Sequence, residues 1–531
     1  MISTRIEDRE TPSQIYNLRV YLCAIISSFA AVMIGYDSAF IGGTITLPSF
    51  KTLYKFNEMS TSHYDLVSSN IVSLYQAGCF WGSLIAYPVG HFYGRKIGLF
   101  GFSLFFFVGA GMQLATDGLP TFYAGRFLAG LAIGGCCSLT PVYVAEIAPP
   151  AIRGRLVGMY EVAWQIGGLI GFWIPYGVIE NVPTSTRQWM IPFGIQLLPA
   201  GLFFLGLPYL KESPRWLSTR GRHEEAAKNL SWLRELEPDH PYITTEIQTM
   251  RDQIEHDRNI MGDGFFAPFR EVFGTWRLLK RVLLGSSLFM WQNGTGVNAI
   301  NYYSPTIFKA IGVQGASTSL LTTGVWGCIK TVMCLIWIYI LIDRLGRRTL
   351  FLIGSVIGSA CLFYTGAYVK IANPAAHPTT DGTVSGSGIS ALFFFYLYVV
   401  FYGPSWAGTP WVWGSEVFPS HVRTLTQALM AASNWFWTFI ISRFTPNMFT
   451  SMGNYGPLLF FAGVMFLSSI YVWFLIPETK GIPLEAMDLL FDRGYPVHKA
   501  HRLALEEWHK RTAELPPDDK QQTVVEEKEV V

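Results

Sequence analysis

Apolar residues gather along this chain in twelve long runs, near 20–47, 67–89, 97–116, 120–145, 155–179, 189–209, 279–303, 316–342, 349–369, 389–414, 424–449 and 455–476. A helix crosses a bilayer in about 20 mostly apolar residues, so the pattern predicts twelve transmembrane helices. Several runs carry glycine and proline, which membrane helices tolerate where neighbours satisfy the freed backbone groups. Two stretches break the rhythm. Residues 211–275 mix Arg234-Glu235, Glu246, Arg251, Glu255 and Arg258 with scattered Leu and Ile, the pattern of short amphipathic helices in water. Beyond Pro477 the chain is polar again, and 518–531 has the composition of disorder. The expected division is 1–19, a six-helix half over 20–210, an insert over 211–278, a second six-helix half over 279–476 and a tail over 477–531.

Composition supports the membrane assignment. Half of the 531 residues are hydrophobic and only 14% are charged, against about 25% in typical soluble domains. With 17 Trp and 39 Phe, the apolar surface exceeds what a soluble protein of this length could hide. A net charge of +2 does not suggest a nucleic-acid partner. Cys23, Cys79, Cys136, Cys137, Cys328, Cys334 and Cys361 all lie in apolar runs without metal-ligand or disulfide-framework spacing. The first 18 residues are polar and the run after them is too long for a signal-peptide core, so it reads as a membrane span. No phosphate loop, metal cluster or nucleophile triad stands out, so neither an enzyme nor a cofactor is expected.

Basic residues set the orientation. Arg95, Lys96, Arg153, Arg155, Arg344, Arg347, Arg348 and Arg423 fall on one side, against Lys51, Lys55, Arg187, Lys309 and Lys370 on the other. The first side is expected to be cytoplasmic, with both termini and the insert, and the loop 371–388 external. The punctuation also repeats. Gly94-Arg95-Lys96 follows the second run and Gly346-Arg347-Arg348 the eighth; Glu146 precedes Arg153 by seven residues, as Glu416 precedes Arg423. Transporters are commonly built from such repeats, with a substrate site at the midplane between them.

These residues resemble the sugar porter family of the major facilitator superfamily from Gly35 to about Gly481. The motifs are Gly35-Tyr36-Asp37, Gly94-Arg95-Lys96, Gly125-Arg126, Pro141 to Glu146, Arg153-Gly154-Arg155, Glu212-Ser213-Pro214-Arg215, Gln292-Asn293 through Tyr302-Tyr303, Asp343 to Arg348, and Pro477 to Gly481. Within the family the chain is most like the fungal quinate permeases, through Ile34 to Gly42, Gly167 to Tyr176 and Trp291 to Gly296. The resemblance implies an all-α membrane protein, twelve transmembrane helices in two six-helix halves (the major facilitator fold) with a cytoplasmic helical insert. It also implies alternating-access uptake of a small polyhydroxylated solute with protons at the plasma membrane: quinate, or alternatively a hexose or polyol. A non-transporting nutrient sensor on the same scaffold is a remoter alternative, against which the short tail argues. Two places depart from the family pattern. His91-Phe92 stand where Asp or Asn and then Arg are usual, and Gln292-Asn293 where two Gln are usual.

A polyhydroxylated solute needs matching donors and acceptors once it leaves water. Gln292, Asn293, Asn298 and Asn301 offer them within ten residues, with 291, 294, 298, 301 and 302 near one face of a continuous helix. By resemblance, Gln292, Asn293, Asn298, Trp411, Asn434 and Trp435 contact substrate; packing and interhelical hydrogen bonds are the competing reading. Asp37 in the first span needs a partner or a proton, and by resemblance to proton-coupled members that partner is Arg126, the pair acting as a proton switch or as a static tie. Lys330 in the eighth span could meet a substrate carboxylate, and Glu161, where the family commonly has a substrate-binding Gln, could bind hydroxyls; the two could equally neutralise one another. Arg95, Glu146, Arg153, Arg347, Glu416 and Arg423 belong at the cytoplasmic helix ends, where ion pairs between helices could hold an inner gate shut.

Overall fold

The protein is described by a computed structural model covering residues 11–116, 118–374, 384–419, 421–482, 487–492 and 496–514. Residues 375–383 of the loop 371–388 and the tail end 518–531 lie outside the described residues.

Twelve long rods account for the twelve apolar runs. They are α1 (Leu18–Thr44), α2 (Thr61–Phe92), α3 (Arg95–Leu114), α4 (Leu119–Ile147), α5 (Arg153–Asn181) and α6 (Thr186–Ile195 with Leu197–Gly206). The second half has α7 (Trp276–Gly294 with Val297–Ile311), α8 (Ala316–Ile336), α9 (Arg347–Ala372), α10 (Gly386–Tyr402 with Thr409–Val417), α11 (Arg423–Met452) and α12 (Gly456–Leu475). Among the described residues, nine of these rods are long and apolar enough to cross a membrane by composition alone. The other three are α2, α7 and α11; α7 is broken into pieces of 19 and 15 residues, the first carrying Arg277, Lys280 and Arg281.

Glycine lets neighbouring helices in the first half touch along their backbones. A Cβ on Gly35 of α1 would lie 2.0 Å from the Trp164 carbonyl oxygen of α5, and one on Gly130 of α4 would lie 2.0 Å from that of Tyr75 on α2. Such approach is the usual basis of helix association in lipid, where no hydrophobic drive between helices exists. The halves meet along α2 with α11, α5 with α8, and α1 with the second piece of α7.

The insert forms Pro214–Thr219, His223–Arg234, Pro241–Met261 and Ala267–Gly274. A buried pair, Arg234 Nη2 to Glu246 Oε1 at 2.7 Å, ties two of these helices, and Arg234 Nη1 donates to the Ile147 carbonyl at 2.8 Å, docking them on the end of α4. Where the first-half loop lacks its usual charges, the His91 carbonyl accepts from Trp216 Nε1 at 2.9 Å and from Arg220.

Candidate functional site

Two broken helices face each other at the centre of the molecule. In α7 the break falls at Thr295-Gly296, and Gly296 has φ +89°, a left-handed conformation that favours glycine. In α10 the break is a π-turn over Gly403–Ala407. Gln292 spans the gap: its Nε2 donates to the carbonyls of Trp406 at 2.7 Å and Ala407 at 2.9 Å. Discontinuous membrane helices of this kind commonly build a transporter's substrate site. The break also corrects the expectation of one continuous helical face over 291–302, because Asn298 and Asn301 belong to a second, separately oriented helix.

The breaks border a central cavity of about 100 Å³. Of the nine residues expected at substrate, eight line it: Gln292, Asn298, Asn301, Trp411, Asn434, Trp435, Glu161 and Lys330. Asn293 does not, and here the structure departs from the expectation. Its shorter side chain is fully buried behind the wall, where Oδ1 accepts from Asn298 Nδ2 at 2.5 Å and Thr438 Oγ1 at 2.8 Å. Asn298 Oδ1 in turn accepts from Asn301 Nδ2 at 3.2 Å. Asn293 thus orients the amides in front of it. Among the described residues, Asn301 Oδ1 has no hydrogen-bond partner.

Opposite this amide row lie the two charged residues. Glu161 Oε1 accepts from Gln165 Nε2 at 2.8 Å. Lys330 Nζ stands 5.6 Å from the Trp326 ring centre, and among the described residues no carboxylate comes within 4.0 Å of it. Both face the same space without being locked together. Trp164 and Trp435, one from each half, stack nearly parallel at 6.4 Å across the cavity.

Sequence reasoning missed Gln165, Thr438, Tyr402, Trp164 and Ser38 among the cavity residues. A signal was present for Gln165, which lies four residues from Glu161 on one helical face. The others sit in ordinary aromatic or small-residue contexts that mark no site.

Asp37 and Arg126 lie behind the cavity wall. Arg126 Nη1 donates to Asp37 Oδ1 at 3.0 Å with both side chains fully buried, and Arg126 Nε holds the Ile71 carbonyl at 3.1 Å. The neighbours of Asp37 on α1, Gly35, Ser38 and Ala39, form part of the wall.

At the basic end, Arg95 makes a two-pronged contact with Glu146 at 2.9 and 2.7 Å, and Arg347 meets Glu416 at 2.6 Å. Each pair lies inside one half. Arg423 donates to the Phe418 carbonyl at 3.1 Å, and Arg153 is exposed at the start of α5. Two carboxylates outside the expected set complete the pattern. Glu212 accepts from the backbone of Arg95 at 2.9 Å and Glu478 from that of Arg347 at 2.8 Å, each capping the third helix of its own half. Burial pushes the Glu212 carboxyl above its ordinary range, against the lowering effect of those amides.

A set of side-chain hydrogen bonds joins the halves at the opposite end. Arg443 Nη1 of α11 donates to Ser69 Oγ of α2 at 2.6 Å, Thr450 of α11 bonds Asp65 of α2, and Ser317 of α8 bonds Glu180 of α5.

Residues 23–491 match the model of the sugar (and other) transporter family. The chain belongs to that family. It is 56% identical over 503 residues to a probable quinate permease of Neosartorya fischeri, covering 94% of this chain and 92% of the relative. It is 54% identical over 506 residues to the quinate permease of Emericella nidulans, covering 94% of each. Among solved structures, the proton:xylose symporter XylE of the major facilitator superfamily, bound to 6-bromo-6-deoxy-D-glucose, matches with TM-score 0.71 and 26% identity over 89% of this chain and 99% of its own. A partially occluded inward-open form of XylE from E. coli matches with TM-score 0.72 at 24% identity, covering 87% of this chain and 99% of its own. The protein is therefore a membrane transporter of the major facilitator fold, with two six-helix halves around the cavity.

Proposed function

We propose that this transporter carries quinate into the cell together with protons, at the plasma membrane and by alternating access, with the basic end, the insert and both termini cytoplasmic. The observation that carries the reading is the pairing, in one cavity, of an amide row with an ammonium group that no carboxylate among the described residues neutralises at contact distance. Quinate is a hydroxylated ring bearing a carboxylate. Its hydroxyls match the Gln292, Asn298, Asn301 and Asn434 amides, and its carboxylate matches Lys330. The Trp411 indole can cover the apolar ring face. The relatives named as quinate permeases support the same substrate.

Coupling is assigned to Asp37 and Arg126. A proton on Asp37 removes its charge and releases Arg126, freeing α1, whose Gly35, Ser38 and Ala39 belong to the cavity wall. Loss of the proton on the cytoplasmic side restores the pair. The positive-inside excess of Arg and Lys at the basic end supports the orientation.

The test is labelled quinate uptake into proteoliposomes, with and without an inward proton gradient, beside a glucose control. Gradient-driven quinate accumulation is expected, and Asp37→Asn should reach a lower accumulation ratio than the wild type under the same gradient. Brisk glucose uptake with no quinate uptake would replace quinate by a neutral hexose or polyol.

A further inference from the structure

An acidic substrate alters the charge balance of this cavity. When empty, its lining holds one acid, Glu161, and one base, Lys330, whose charges cancel. The two are not bridged. Glu161 Oε1 is held by Gln165 Nε2 at 2.8 Å and by Cys334 Sγ at 3.7 Å, while Lys330 leans over Trp326. A substrate carboxylate that engages Lys330 therefore leaves Glu161 as a second anion beside a single cation. An uncompensated charge at such depth is strongly disfavoured.

Among the described residues, the cavity lining holds no second cation. The titratable groups that act on Glu161 are Lys330 and Cys334 from α8, Cys137 from α4, Tyr160 from α5 and Tyr402 from α10. Of these only Lys330 brings a positive charge. Arg126, even when a proton on Asp37 releases it, stands behind the wall and does not line the cavity. The group able to restore neutrality is Glu161 itself, by gaining a proton from the side that delivers the substrate.

We propose that Glu161 is a second proton-carrying group, loaded together with the substrate, so that each quinate anion crosses with two protons, one on Asp37 and one on Glu161. The inference rests on the quinate reading, because only an acidic substrate upsets the balance; a neutral sugar would travel with the Asp37 proton alone. In charge terms, two protons and one carboxylate move one net positive charge inward per cycle. One proton and one carboxylate would move none.

The experiment separates these cases. Proteoliposomes are given an inside-negative potential by a potassium gradient and valinomycin, with equal pH on both sides. The wild type should accumulate quinate, tenfold at equilibrium for about each 59 mV. Glu161→Gln should accumulate it under a pH gradient but not under the potential. A wild type indifferent to potential, or a variant as responsive as the wild type, would overturn the proposal. A second measurement decides if Glu161→Gln does not fold or transport. Quinate is added to detergent-solubilised protein in weak buffer and proton uptake is counted. Two protons are expected for the wild type and one for Asp37→Asn; none for Asp37→Asn would overturn the proposal. Calorimetry on the same samples distinguishes the two levels. Quinate that binds with only the Asp37 proton removes this inference alone, whereas quinate that does not bind removes the quinate reading as well.

Discussion

An ammonium inside a bilayer is costly and marks a candidate site, and Lys330 stands in the cavity with no contact carboxylate among the described residues. A hydrogen bond to a charged group contributes about 1.5–3 kcal/mol. Lys330→Gln is therefore expected to raise the KM for quinate about tenfold to a hundredfold, by the usual conversion of about 1.4 kcal/mol per decade. The variant should bind a neutral polyol analogue no more weakly than the wild type; equal loss for both ligands would make the lysine structural. The Asp37–Arg126 pair predicts an asymmetry of another kind. Arg126→Ala leaves a buried carboxylate unpaired and should cost about 3–5 kcal/mol of stability, read as a lower unfolding temperature in detergent. Asp37→Asn, which keeps the shape, should cost less. Most of the cavity's polar lining was legible at this scale, because Gln292, Asn298, Lys330 and Glu161 are polar residues in apolar runs and a membrane makes each of them expensive. The layer of each residue was not. Gln292 and Asn293 are adjacent and chemically alike, yet one borders the cavity and the other supports it from behind.

Local backbone conformation fixes where those side chains point. Gly296 at φ +89° has Phe461 against it, and a Cβ there would come within 2.6 Å of that ring. Gly296→Ala should lose at least about 1–2 kcal/mol from the left-handed conformation alone, with weaker quinate binding as Asn298 and Asn301 rotate away. Normal stability and affinity in this variant would mean the break is not needed. At the basic end, His421 lies in the loop between α10 and α11, and burial lowers its pKa below the usual 6.5 despite the nearby Asp257, Glu271 and Asp488. A depressed histidine favours the fold above 6.5, where it is neutral in both states, and that contribution is lost as pH falls through its folded value. Thermal stability should fall as pH drops below 6.5, and less steeply in His421→Gln; identical pH profiles would remove His421 as the cause. Helix ends and the amphipathic insert were readable from hydropathy. The break in α7 was not, since Gly294 and Gly296 also fit a continuous, closely packed membrane helix.

Across the whole molecule, the halves are latched at the end away from the insert by Arg443 with Ser69, Asp65 with Thr450, and Glu180 with Ser317. The ion pairs Arg95–Glu146 and Arg347–Glu416 instead brace each half internally. The structure thus stands closed at that far end. Weakening the latch should shift the population toward the opposite state. Leu320, fully buried beside Gly43 at this seam, gives a readout. A cysteine at 320 should react several-fold faster with a membrane-impermeant maleimide in an Asp65→Asn, Arg443→Gln background. Unchanged labelling would show that packing alone closes this end.

Twelve spans, the paired halves, the helical insert and the polar residues at the centre follow from sequence, because a bilayer punishes every polar residue and basic loop placed without reason, and so leaves a strong linear pattern. Three things depended on tertiary structure: that Asn293 supports Asn298, that Glu161 and Lys330 share a cavity without pairing, and that the ion pairs brace each half while the latch joins the two. These are relations between helices distant in the chain. They are set by where α7 and α10 break and by how closely glycine lets α1 approach α5, and no hydropathy pattern records them.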